Sequence, residues 1–140
     1  MTSEQLPVAK FAFPGPLRDK LVDAILCGEK TATTGLLREH EHEGEPLPAA
    51  GQRFVVVDSY EREVAVIETT AVQVIPVRDV DLELARDEGE GFTSVAEWRA
   101  AHESFWHSDA VGSALDDPDF TVTDDTLVVA ERFRLLHRLL

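Results

Sequence analysis

The sequence predicts an α+β fold in which helices flank a small barrel or strongly curled sheet, and three observations carry that expectation. Several short β-branched runs are interleaved with few helical stretches. One run, Glu63 to Ile75, is too long for a flat strand and implies a strand bending around a barrel. No segment repeats, and 140 residues at 44% hydrophobic content fit one globular core.

Taken in order, the first helix is announced by Pro16, which a first helical turn tolerates, and by Leu17, Leu21, Ala24 and Ile25 on one apolar face. Gly28 ends it, because glycine enters the left-handed region without steric cost. Gly35 to Glu43 reads as a short second helix, closed by Gly44 and the Pro46-Leu47-Pro48 punctuation. Phe54 to Val57 is a short buried strand, and Ser59 to Arg62 a polar turn. In the long strand that follows, Val64, Val66, Val72 and Val74 share one side. Asp79 to Asp87, with Val80, Leu82 and Leu84, reads as an acidic helix. Ser94-Val95-Ala96-Glu97 fits a capping box that starts a helix carrying Val95, Trp98, His102 and Phe105 on one face. Asp116 to Asp125 is a polar loop. Leu127 to Leu136 closes the fold as a strand, with Leu127, Val129, Phe133 and Leu135 together.

Charge restricts the partners. Asp and Glu number 27 against 13 Lys and Arg, a net charge of -14, and no basic run stands out. Broad polyanion binding, including sequence-independent binding of double-stranded DNA, needs clustered cations and is not expected. The single Cys27, within the first helix, reads as a small apolar residue and cannot form an intramolecular disulfide. No run approaches the ~18 apolar residues of a membrane span, and the first ten residues carry no signal-peptide core. A cytoplasmic protein without membrane contact is the expectation.

The most chemically suggestive segment is Gly28-Glu29-Lys30-Thr31-Ala32-Thr33, which sets a lysine and two hydroxyls beside a rigid helix terminus. The same residues also suit a plain structural role, with Lys30 at the negative helix end and the threonines opening a strand. His40 and His42, among Glu39, Glu41 and Glu43, superficially offer metal ligands, but on a helix an i, i+2 pair faces apart, so a solvated acidic helix is expected and no metal site is assigned. No Gly-rich phosphate loop or Cys/His metal spacing occurs.

Read as an ordered set, these motifs resemble the ASCH family, within the PUA-like β-barrel superfamily associated with RNA and modified nucleosides. The matching residues are Gly28 to Thr33, Glu43-Gly44-Glu45-Pro46-Leu47-Pro48, Ile67-Glu68-Thr69-Thr70, Glu88-Gly89-Glu90-Gly91, Trp98-Arg99 with His102, and Glu131-Arg132-Phe133. They span residues 11–136. The resemblance implies an N-terminal tail over residues 1–10 and a single ASCH domain over 11–140. It implies a cleft beside the barrel, lined by the lysine-threonine turn, the Glu88 segment and the Trp98 helix. In a shorter branch that looks like an amidohydrolase on N4-acetylcytidine, the catalytic lysine, threonine and glutamate match Lys30, Thr33 and Glu88, with Glu90 the other candidate for the carboxylate. Thr31, Trp98, Arg99 and His102 are the implied ligand contacts. This chain departs from the short branch in its length, its Glu43 to Pro48 segment and its Trp98 helix, and is similar to a longer branch. One member there looks like a metal-dependent ribonuclease.

The chemistry is open at this point. Amide hydrolysis needs a nucleophile, a base for its proton and stabilisation of the oxyanion. Lys30 serves as the base only if burial depresses its pKa; an ionised Glu88 nearby favours the ammonium, and a buried pair sharing a proton would let Glu88 act as general acid. Trp98 and Trp106 either stack a base or fill the core. Arg99 and His102, at i, i+3, either meet a phosphate or ligand carbonyl, or are an ion-paired arginine and a core-edge histidine. Three functions are carried forward. The first is a cofactor-free amidohydrolase of an acylated cytidine. The second is a ribonuclease on single-stranded RNA, for which a divalent metal would be required. The third is a non-catalytic reader of RNA or nucleotides, distinguished by binding without turnover.

Overall fold

Proline and glycine set many of the element boundaries. The computed structural model, which describes residues 6–139, runs β1 (Val8–Ala9), α1 (Pro16–Leu26), β2 (Ala32–Leu36), α2 (Leu37–Glu43), β3 (Arg53–Val57), β4 (Glu63–Pro76), α3 (Leu82–Asp87), α4 (Val95–Trp106), α5 (Asp109–Ala114) and β5 (Leu127–Arg138). Pro16 opens α1. Past its end, Gly28 takes φ 83°, and the amides of Glu29 and Lys30 both return to the Ala24 carbonyl. That closure satisfies carbonyls the helix leaves bare and aims the chain into β2. Gly44 stops α2 in the same left-handed region, at φ 66°.

The strands form one sheet in the order β1-β3-β4-β5-β2, antiparallel except for the β1–β3 pair. The α+β class is as expected, but the sheet does not close into a barrel: β1 and β2 are its edges. The long β4 pairs with β3 through its first half and with β5 over nearly all its length. Register shifts between Val66 and Ile67 and between Thr69 and Ala71 break the ladder with β5. Such bulges bend a strand and sharpen its twist. They also undo the even-numbered valine side expected from sequence. Ala65, Ile67 and Thr69 are buried, Val66 is half-buried and Val74 is exposed. The alternation is lost because an inserted residue resets which face each side chain meets.

Two apolar clusters flank this bend. One joins α1 to the sheet through Phe11, Leu21, Val22, Ile25, Val56, Ile67 and Phe133. The other gathers α3, α4 and α5 against Ala32, Leu36, Val128 and Ala130 through Leu84, Ala85, Trp98, Trp106 and Val111. Several local expectations shift. Gly35 and Leu36 belong to β2, so α2 starts at Leu37; α3 is shorter than read; and α5, capped by the Ser108 side chain, replaces a segment with no sequence reading. Cys27 is exposed at the end of α1 rather than packed inside it. Of the expected N-terminal tail, Val8 and Ala9 pair with Val55 and Val56, and residues 1–5 lie outside the described residues. No described helix is long and apolar enough to cross a membrane.

Candidate functional site

A cavity of about 710 Å³ opens between the two apolar clusters, a size that suits a small organic ligand. Its polar lining comes from three backbone devices. The chain leaving α1 carries Lys30 into β2. The turn that ends α3 carries Glu88, and Gly89, at φ 71°, lies so close to the Glu29–Lys30 backbone that a Cβ there would sit 2.6 Å from the Glu29 carbonyl oxygen. The amide of Thr31 donates to the Asp87 carbonyl, tying the two segments together. Finally α4, started by the Ser94 side chain accepting from the Glu97 amide, presents Trp98, His102 and Trp106 at i, i+4 and i+8. Glu97 reaches back to Thr93, one residue before the position a capping box predicts.

Lys30 and Glu88 are brought together in the interior, at 2% and 1% exposure. The Lys30 Nζ donates to the carbonyls of Ala32 at 2.8 Å and Glu88 at 3.3 Å, and stands 4.0 Å from Glu88 Oε1. Burial lowers the lysine pKa, against the opposing charges of Glu88, Glu90 and Glu131. In the neutral amine, two N–H bonds match the two carbonyls and the lone pair is left over. Around Glu88, the Trp98 indole N–H and the Thr34 hydroxyl both donate to Oε2, and His102 Nε2 lies 3.2 Å from Oε1.

The histidine settles where one proton sits. His102 Nδ1 is 2.8 Å from the Trp98 carbonyl, which can only accept, so Nδ1 carries hydrogen. The Nε2–Oε1 contact then needs a proton of its own, shared between imidazole and carboxylate. Burial disfavours the imidazolium, but the hydrogen bond and charge of Glu88 outweigh it and raise the His102 pKa. The ring is stacked on Trp98 at 4.2 Å between centroids and meets Trp106 edge-on at 5.2 Å.

The expected site residues separate accordingly. Lys30, Thr33, Glu88, Glu90 and His102 all line the cavity. Glu88, at the end of the lysine-linked turn, is the carboxylate nearest Lys30 in the ion-pair geometry. Three expected ligand contacts do not line it. Thr31 is exposed, with its hydroxyl directed at the Asp87 carbonyl. Trp98 is fully buried and spends its N–H on Glu88, so it cannot stack a base. Arg99 turns to Glu103 and Asp124 on the far side of α4. The i, i+3 spacing of Arg99 and His102 leaves enough angular difference on the helix for one to face the cavity and the other solvent.

Sequence reasoning missed Thr34, whose hydroxyl holds Glu88, and the second acidic end of the cavity. There Glu131, Glu39 and His40 line the wall. Burial raises the carboxyl pKa of both Glu131 and Glu39. Glu131 stands opposite Thr33 in the β2–β5 ladder, a pairing that strand register, not spacing in one segment, creates.

Glu88, Glu90 and His102 bring three ligand-type atoms within 4.8 Å of one another. As a metal site they fit poorly. Both Glu88 oxygens already accept from Trp98, Thr34 or His102, His102 Nε2 holds or shares a proton, and the Lys30 amine lies alongside. His42 faces Asp116 while His40 lines the cavity, so that pair does not converge either.

Comparison with known proteins agrees with this architecture. The structure of protein EF3133 from Enterococcus faecalis V583 superposes with a TM-score of 0.83 at 24% identity, covering 99% of this chain and 80% of that one. An ASCH domain from Lactobacillus crispatus JV V101 gives a TM-score of 0.79 at 28% identity, covering 93% and 79%. No curated protein matches. The family profile for the ASCH domain matches residues 10–137, nearly the whole described fold, and the chain therefore belongs to the ASCH domain family.

Proposed function

We propose that this protein is a metal-independent amidohydrolase that removes an acyl group from the exocyclic amine of a modified cytosine nucleoside, with Lys30, Thr33 and Glu88 as its reactive set. The observation that carries the reading is the buried Lys30–Glu88 pair inside a ligand-sized cavity that Thr33 also lines. Desolvation favours the neutral amine, the form a general base must have.

In the proposed cycle Lys30 Nζ takes the proton of the Thr33 hydroxyl as Oγ1 bonds to the acyl carbon. The carbon–nitrogen bond then breaks, and the leaving amine takes the proton shared by Glu88 and His102. Water attacks the acyl-threonine and returns a proton to the Glu88–His102 pair. The ester bond breaks as Oγ1 recovers its proton from the Lys30 ammonium. The sum is amide plus water giving carboxylic acid plus amine, with every side chain restored. His102 thereby joins the set as the group that shares the acidic proton with Glu88.

The carboxylates of the wall favour this reading over cleavage of a long polyanion. Glu39, Glu45, Glu88, Glu90 and Glu131 line the cavity against only two lysines, Lys10 and Lys30. The test is incubation of metal-stripped protein with N4-acylated cytidines and with a short single-stranded RNA, with and without manganese, followed by mass spectrometry. Metal-free release of cytidine that Lys30→Met abolishes is the expected result. RNA fragments appearing only with manganese would replace the proposal with a ribonuclease, and binding without turnover would replace it with a reader.

A further inference from the structure

Arg18 is a buried charge that the proposed chemistry does not use. It stands on α1 one turn before Val22, on the face that enters the core, and is 2% exposed. A guanidinium is costly to bury unless its N–H groups are met. Nε donates to the Phe11 carbonyl at 3.3 Å, Nη2 to the Ala12 carbonyl at 2.9 Å and Nη1 to the Asp58 carbonyl at 3.3 Å, and Nη1 lies 3.5 Å from Glu61 Oε1. Two loops are thereby fixed to one helix position. Both are strained: Ala12 and Glu61 each take φ 61°, in the left-handed region that non-glycine residues rarely adopt. Such a conformation persists only where its surroundings over-determine it.

The first of these loops reaches the site. Phe11 and Ala12 line the cavity, and the Phe11 ring centroid is 5.8 Å from Lys30 Nζ. Phe133 backs the ring from β5, at 6.0 Å between centroids. The ring acts on the amine in two opposed ways. Its π face attracts an ammonium, but 5.8 Å is near the outer limit of about 6 Å for that attraction. Against this, the ring fills space that water would otherwise take beside an amine at 2% exposure, and complete burial lowers a lysine pKa by up to about 3–5. Exclusion of water is the larger effect, and it favours the neutral amine. The charged groups facing Lys30 are Glu88 after α3, Glu90 two residues on and Glu131 on β5, with His102 on α4 against Glu88. All three carboxylates favour the ammonium, which leaves the apolar wall to oppose them.

We infer that Arg18 and Phe11 form a clamp that keeps water from Lys30: Arg18 holds the strained turn by its carbonyls, and the turn sets the Phe11 ring against the amine. Both act through Lys30 and are positioning residues. This rests on the reading of Lys30 as general base and assigns what keeps it in the form a base requires.

The chain has three lysines, of which Lys10 and Lys20 are exposed, so NMR titration of isotope-labelled lysine side chains reads Lys30 directly once Lys30→Met assigns its signal. Wild-type Lys30 should titrate below the other two. Phe11→Ala should raise its midpoint by at least about one pH unit, a fraction of the full burial effect. The rise of kcat/KM on an acylcytidine with pH, which follows the neutral amine, should move up by the same amount. Phe11→Leu keeps an apolar wall and should stay near wild type. Arg18→Gln should raise the midpoint as Phe11→Ala does; using both positions guards against one variant failing to fold. An unmoved or lowered midpoint in Phe11→Ala, or an unmoved one in folded Arg18→Gln, would overturn the clamp, whatever either variant loses in stability. Turnover with an unmoved midpoint would sink the clamp alone. A raised midpoint without turnover of any acylcytidine by wild type would retain the clamp and sink the hydrolase.

Discussion

Glu88 is the residue on which the site depends, because a carboxylate at 1% exposure persists only if its oxygens are met. Trp98, Thr34 and His102 meet them. Trp98→Phe keeps an aromatic ring but removes the N–H, leaving Thr34 as the one donor to Glu88 Oε2, and should lower unfolding free energy in urea by about 1–3 kcal/mol, the scale of a hydrogen bond to a buried charged group. His102 gives a pH signature. Its folded pKa is raised above its ordinary value near 6.5, so the stabilisation it contributes is complete below that value and is lost as pH rises through the folded pKa. Raising pH above about 6.5 should therefore cost wild type more stability than His102→Gln, as read by denaturation at paired pH values. Glu90 and Glu131, whose pKa values burial raises, act in the same sense and the lowered Lys30 acts oppositely, but all three are present in both proteins, so the difference between the two proteins reads the imidazole. Arg99 is the counter-example. It pairs with Glu103 and Asp124 outside the cavity, so Arg99→Ala should leave kcat/KM on an acylcytidine within about twofold of wild type, as expected of an exposed ion pair.

Two turns, more than any helix or strand, hold the pair together. Gly28 releases the chain from α1 so that Lys30 enters β2, and Gly89 lets the Glu88 turn press on the Glu29–Lys30 backbone. Gly89→Ala meets both a left-handed φ of 71° and backbone atoms at 2.6 to 2.7 Å. It should destabilise by about 1–3 kcal/mol and reduce turnover as well, since relieving the clash must move Glu88 from Lys30; matched denaturation and kinetics would check both. Part of this was legible. The Gly28 stop and the Ser94 start follow from local backbone chemistry and appear where expected. The closeness of Gly89 to Lys30 was not, because it joins turns some sixty residues apart that no periodicity connects. The bulges of β4 were equally hidden, and with them the parity of its buried face.

The net charge of -14 extends into the cavity, whose charged lining is mostly carboxylate. Single-stranded RNA bound in the cavity could neutralise charge at no more than Lys10 and Lys30, so its affinity should depend weakly on salt, with a log–log slope no steeper than about -1.4 for two phosphates. A fluorescence titration from low to physiological salt measures that slope. A steeper one would mean a basic surface outside this cavity.

Composition, capping residues and glycine positions suffice for the α+β class and the order of most elements, because these depend on short-range preferences, whereas the Lys30–Thr33–Glu88 candidate set comes from the resemblance of the ordered motifs to the ASCH family. Register, side-chain direction and burial are long-range properties. They separate His102 from Arg99 on one helix, turn Trp98 from a stacking surface into a donor for Glu88, leave the sheet open, and set Glu131 opposite Thr33. Each depends on which strand lies beside which, and that follows from the packing of the whole chain around its two apolar clusters.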